Sequence, residues 1–194
     1  RVGGAEFGHI ELAHQRSLKE RVIREAVERV GRLERPVDVR PAGEPGDAET
    51  ADGTGWRTRV SLHVDGEGRV GAYAARSHRV VETPDLPLAT DAVSRAAAEV
   101  RSGAQPGRVD LVQPADGRVR VLPRPEGARS HGTPEVVEER VGDRVFRVDA
   151  GGFWQVHRLA ARTLTSLVSA ELTASVGALD PEATHLDLYG GVGL

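Results

Sequence analysis

The chain has 194 residues, 39% of them hydrophobic and only seven aromatic, which allows one large or two small domains around an ordinary core. A net charge of −3 gives no global signal for nucleic acid, although it leaves room for a local basic face. There is no cysteine, which excludes disulfides, thiolate metal sites and a cysteine nucleophile within these residues. No apolar run nears the roughly 18 residues of a membrane span, and no signal-peptide pattern is present. A cytoplasmic protein with no membrane partner is therefore expected. Residue 1 is Arg, which reads as a cut or processed end, and Lys19 is the sole lysine among many arginines, a bias expected of a GC-rich genome.

Apolar residues at Leu18, Val22, Ala26, Val27 and Val30 have helical spacing within residues 11–30, and Gly31 supplies a stop. Val37 and Val39 suit the start of a strand. Residues 41–55 are acidic and rich in Gly and Pro, and read as a surface loop. From Trp56 the pattern alternates: Trp56, Thr58, Val60, Leu62 and Val64 face one way, Arg57, Arg59, Ser61 and His63 the other. Asp65–Gly66–Glu67–Gly68 turns the chain into a partner strand over residues 69–76, which Val80 and Val81 extend. Pro84 and Pro87 end the pairing.

Residues 91–101 form a short helix with Ala92, Val93, Ala96, Ala97 and Val100 inward, capped by Thr90 or Asp91. Strands are predicted at 109–112 and 119–122 around Gly117, followed by a loop over 123–134. A further hairpin joins 136–137 to 145–148 around Gly142. Beyond Gly151–Gly152 the apolar stripe of Val156, Leu159, Ala160, Leu164, Leu167, Val168 and Leu172 marks a long helix reaching about Val176. Asp180–Pro181 turns into residues 185–189, a short apolar run that suits a buried parallel strand, and Gly190, Gly191 and Gly193 crowd behind it.

The expected fold class is an α+β domain over residues 1–149. After it, residues 150–194 give the first helix and strand of an α/β doubly wound, Rossmann-like domain. A parallel sheet needs both faces covered, so these last residues are expected to be poorly stabilised unless they pack on the first domain.

Three features carry chemistry. A glycine turn after a strand presents bare backbone N–H groups, as folds that hold nucleotide-like cofactors do; the bland reading is a glycine-rich terminator. Gln155 sits between bulky residues in Phe153–Trp154–Gln155–Val156–His157, where it either points its amide into the same crevice or is merely solvated beside an aromatic anchor. Between Trp56 and Glu82, Arg57, Arg59, Arg69, Arg76 and Arg79, with His63 and His78, outnumber Asp65, Glu67 and Glu82. Arginines on a sheet face suit phosphate contacts, and equally suit a solvated polar face.

The pair FWQVH (153–157) and LDLYGGVGL (186–194), with 34 residues from Gln155 to Tyr189, resembles the bacterial S-adenosylmethionine-dependent RNA uracil-5-methyltransferases. These make 5-methyluridine in tRNA and 23S rRNA, and carry F-x-Q-V-[NH] and D-L-[YF]-x-G-x-G. Residues 2–19 resemble the family's C-G-G-C-x-x-x-H-x-x-Y-x-x-Q-x-x-x-K, keeping Gly3, Gly4, His9, Gln15 and Lys19. GWRTRVSLHV (55–64), ARSHRVV (75–81) and Leu86–Pro87–Leu88 match its central region. The likeness covers essentially the whole chain.

The resemblance implies that Gln155, Asp187, Tyr189, Gly190, Gly191, Gly193 and Leu194 bind S-adenosyl-L-methionine, although the family often has a polar contact where Leu194 stands. It implies an RNA partner, rRNA or tRNA, contacted by Arg57, Arg59, Arg76 and His78, and a monomer. Many family members hold an iron–sulfur cluster on four cysteines. Three of those positions are here Val2, Ala5 and Leu86, which cannot ligate iron, so no cluster and no metal site are expected. The family's catalytic cysteine and base lie far downstream of the glycine loop, so the chain reads as the N-terminal part of such an enzyme, inactive alone, with no catalytic residue of its own. A methyltransferase of another substrate class and a non-catalytic RNA-binding module stay open as alternatives.

Overall fold

The computed structural model describes residues 7–43, 52–100, 103, 105–128, 134–178, 180–186, 188, 190 and 191. Ten elements follow one another: α1 (Leu12–Arg29), β1 (Arg59–Val64), β2 (Val70–Tyr73), β3 (Val80–Glu82), α2 (Asp91–Val100), β4 (Gly107–Val112), β5 (Arg120–Pro125), β6 (Val136–Val141), β7 (Arg144–Asp149) and α3 (Ala160–Val176). Five strands make one antiparallel sheet in the order β3-β2-β1-β4-β5, and β6 and β7 form a separate antiparallel pair.

The sheet has one apolar and one polar face, because alternation along β1 is matched across its neighbours. Val60 pairs with Leu111 and Leu62 with Val109 on one side; Arg59 pairs with Val112, Ser61 with Asp110 and His63 with Arg108 on the other. Helix α2 covers the apolar side: Val93 and Ala97 are fully buried against Leu62, Val64, Val70, Val109 and Leu111, with Leu86 packed at the margin. Burying a side chain the size of Leu62 or Leu111 stabilises the fold by roughly 1.5–3 kcal/mol, so this contact is the principal core.

A second core sits beside β6 and β7. Val137, Val141 and Val148 enclose Ala150, Trp154 and Ala161, with Leu122 of β5 and Phe146 packed against them. Trp154 and Phe146 lie with ring centroids 5.5 Å apart. The residues that lead into α3 are thereby built into the β region.

Four expectations change. Residues 37–39 form no strand, and β5 runs on to Pro125 instead of ending at Leu122. As an edge strand it loses no ladder bond to the missing N–H of Pro123 and Pro125. No residue of α1 is buried, and Val22 and Val30 stand 61% and 85% exposed. Residues 184–186 are not a strand, and Leu186 and Leu188 are 79% and 75% exposed. A short apolar run becomes a buried parallel strand only between neighbours, and among the described residues it has none. Apart from an isolated Arg57–Ala89 bridge, the described pairings are antiparallel.

Candidate functional site

The segment holding Gln155 runs beside the entry to β1. The backbone N–H of Thr58 donates to the carbonyl of Val156 at 2.8 Å, and that of Arg158 to Trp56 at 3.0 Å. The Thr58 hydroxyl adds a second bond to Val156 at 3.0 Å. Trp56 and His157 stack with ring centroids 5.1 Å apart and planes 15° from parallel. Trp56 is itself fixed by its indole N–H, which donates to Gly53 at 2.8 Å.

Gln155 is half-buried in this docked segment, and among the described residues its amide makes no hydrogen bond. An amide held on a fixed backbone with its own donors and acceptor unused can take a ligand's polar edge. Phe153, two residues earlier, is 78% exposed. Below it opens a cleft of about 630 Å³, lined by Arg57, Ser61, Asp110, Leu86–Ala89 and Gly151–Trp154.

Arg59 is buried rather than presented to solvent. Its guanidinium donates to the carbonyls of Ala150 at 3.0 Å and Gly152 at 2.9 Å, and meets Glu139 at 3.1 Å. It ties β1, β6 and the turn before Trp154 together. The expectation that Arg59 reaches RNA is corrected by this placement: its ionic partner is already inside the fold. Burial pushes the Glu139 carboxyl above the usual glutamate range, and its bond to Arg59 offsets that only in part.

The other basic residues lie outside. Arg57 is half-buried, with Nε donating to the Arg59 carbonyl at 2.9 Å and the guanidinium 5.9 Å from the Trp56 ring centre. Arg76 is exposed at the tip of the β2–β3 turn, with φ +57. His78, also exposed, meets the Tyr73 ring edge-on at 5.2 Å.

Sequence reasoning passed over Asp110. It lies on the polar face, only 6% exposed, and accepts from Ser61 at 2.6 Å, Arg108 at 2.7 Å and Arg124 at 2.8 Å. Burial opposes its ionisation, but these bonds together hold the carboxyl below the usual aspartate range. One carboxylate thus fixes two guanidinium groups and leaves the cluster net positive. The signal was present in the alternation of β4, where Asp110 stands between apolar neighbours.

Of the glycine-loop residues, Gly190 is half-buried and Gly191 is exposed with φ +57, a conformation that favours glycine. Asp187, Tyr189, Gly193 and Leu194 lie outside the described residues, as do Val2, Ala5, Gly3 and Gly4. Gln15 donates to the carbonyl of Ile10 at 2.9 Å, closing the turn before α1, and Lys19 lies 6.0 Å from the Phe7 ring centre. Among the described residues no helix is long and apolar enough to cross a membrane.

No family model matches the chain. Over its full length it is 33% identical to an uncharacterised RNA methyltransferase of Streptomyces coelicolor, covering 48% of that protein. It is likewise 33% identical to one of Streptomyces avermitilis, covering 50%. A shorter match, 33% identical over 94 residues, takes in 47% of this chain and 18% of a 23S rRNA (uracil(1939)-C(5))-methyltransferase of Halomonas elongata. Among solved structures, the tRNA (uracil-54, C5)-methyltransferase of Pyrococcus abyssi, in complex with S-adenosyl-L-homocysteine, aligns with a TM-score of 0.60 at 16% identity. That alignment covers 88% of this chain and 50% of the other, and shows a shared mixed α/β fold. The chain spans about half the length of the curated relatives it matches.

Proposed function

We propose that this chain, related over its whole length to RNA methyltransferases, is the RNA-facing portion and cofactor entrance of an enzyme that methylates carbon 5 of a uridine in rRNA or tRNA, with S-adenosylmethionine as donor. The observation that carries the reading is the placement of Gln155. Backbone pairing between residues 56–58 and 156–158 fixes it between Trp154 and Val156, which both line the cleft, with an unengaged amide.

In this reading residues 1–149 form the RNA-binding domain, and 150–194 open a doubly wound cofactor domain. Gln155 holds the cofactor by hydrogen bonding. Asp187, Tyr189, Gly190, Gly191, Gly193 and Leu194 line the cofactor. Main-chain N–H groups of a glycine turn, free of Cβ atoms, suit the polar end of such a molecule. The attacking thiolate is not in this chain, which has no cysteine, so these 194 residues alone transfer no methyl group. In this reading the protein works in the cytoplasm as a monomer.

The test is methyl transfer to undermodified rRNA and tRNA by the full-length protein that carries this chain. Transfer that Gln155→Ala lowers tenfold or more, together with weaker S-adenosylhomocysteine binding, supports the assignment. Wild-type rates in that variant remove Gln155 from the site, and turnover by the 194-residue chain alone overturns the argument from the absent cysteine.

A further inference from the structure

One row of cross-strand partners crosses all five strands of the main sheet on its polar side: Glu82, Gly71, His63, Arg108 and Arg124. Gly71 is obligatory there, since a Cβ would lie 1.9 Å from the carbonyl oxygen of Val81. The row therefore has no side chain beside His63. There the rings of His63 and Tyr73 stack with centroids 3.6 Å apart and planes 17° from parallel, and His78 closes on Tyr73 edge-on. The Asp110 cluster holds Arg108 and Arg124 on the adjoining strands, their side chains 51% and 30% exposed. Arg76 and Arg79 stand exposed in the turn next to His78.

We propose that this ring cluster is a stacking platform for an unpaired base of single-stranded RNA, with Arg108 and Arg124 meeting the flanking phosphates. The proposal rests on the methyltransferase reading for its ligand and adds a site to it. None of the three rings makes a side-chain hydrogen bond among the described residues, so both imidazoles keep their polar atoms for a base edge or a phosphate. Every base has a π face, so aromatic platforms beside guanidinium groups bind single strands with little sequence preference. Burial, and after it the charge of Arg108, hold the His63 imidazole below its usual range. This disfavours a positive charge on the His63 ring beside its arginine neighbour.

The experiment is fluorescence anisotropy of the chain with an oligouridylate about 12 nucleotides long, matched against the same strand carrying abasic sites. Tyr73→Ala is expected to weaken binding about tenfold, the effect of losing one base stack, while Tyr73→Phe stays within about twofold of wild type. The abasic strand should bind the wild type about as weakly as the intact strand binds Tyr73→Ala, and the two losses should not add. Equal RNA binding by wild type and Tyr73→Ala overturns the platform, and is the result expected if the rings instead receive a protein. Should Tyr73→Ala fail to fold, thiouridine photocrosslinking of the wild type decides: adducts on the peptide holding Tyr73 support the platform, and adducts confined elsewhere overturn it. Methyl transfer by the full-length protein is scored separately, so loss of the platform leaves the enzyme reading standing.

Discussion

Arg59 and Glu139, on strands of different sheets, meet at 3.1 Å with their side chains only 10% and 8% exposed. Removing one partner leaves the other charge buried and alone, which costs about 3–5 kcal/mol, whereas replacing both by apolar residues is often neutral. Arg59→Met is therefore expected to lower urea-unfolding stability by about that amount, and Arg59→Met with Glu139→Leu to recover most of it. Equal stability of the single and double variants would show that the pair is solvated in solution.

The two buried carboxylates act in opposite senses with pH. The Glu139 carboxyl is raised, so its contribution is fully present below the ordinary glutamate pKa and is lost as pH rises through the folded value. The Asp110 carboxyl is lowered, so its contribution is present above the ordinary aspartate pKa and is lost as pH falls through the folded value. Urea midpoints across the acid range check both. The deficit of Asp110→Asn, on the order of 1–3 kcal/mol, should close as pH falls, while wild type should gain on Glu139→Gln over the same descent.

Two glycines should respond differently to a methyl group. Gly71→Ala drives a Cβ against the Val81 carbonyl, parting β2 from β3, and should cost about 1–3 kcal/mol or more. Gly117 has φ +77 but open space around it, so Gly117→Ala carries only backbone strain, about 1 kcal/mol. Thermal melts of the two variants give the comparison.

Salt dependence should separate the arginines. If Arg57 and Arg76 meet phosphates, Arg57→Gln and Arg76→Gln each lower the slope of log K against log salt by about 1 and weaken binding to all RNA sequences alike. Tied inside the fold, Arg59 should show a stability loss with no change of slope in the folded fraction.

The hairpins were legible because alternation and turn residues are local properties: Asp65–Gly68, Gly117 and Gly142 each mark a reversal that the structure contains. Helices α1 and α3 were legible as helices, but what their stripes meet was not. Leu164, Leu167, Val168, Leu172 and Val176 of α3 remain 41–60% exposed, because periodicity records a face and not its cover. Arg59 was misread for the same reason. Alternation placed it on the polar side of β1, and only the packing of β6–β7 over that side makes it internal. The stack of His63 on Tyr73 was not legible either, because it depends on the register that sets Gly71 opposite His63 and makes Tyr73 its diagonal neighbour.

The hydrogen bonds that seat Gln155 run from main chain to main chain, Thr58 to Val156 and Arg158 to Trp56. Such bonds are indifferent to what side chains positions 156 and 158 carry. Sequence can drift on either flank while the glutamine keeps its address, so substitutions at 156 and 158 can change the surroundings of Gln155 without moving its backbone.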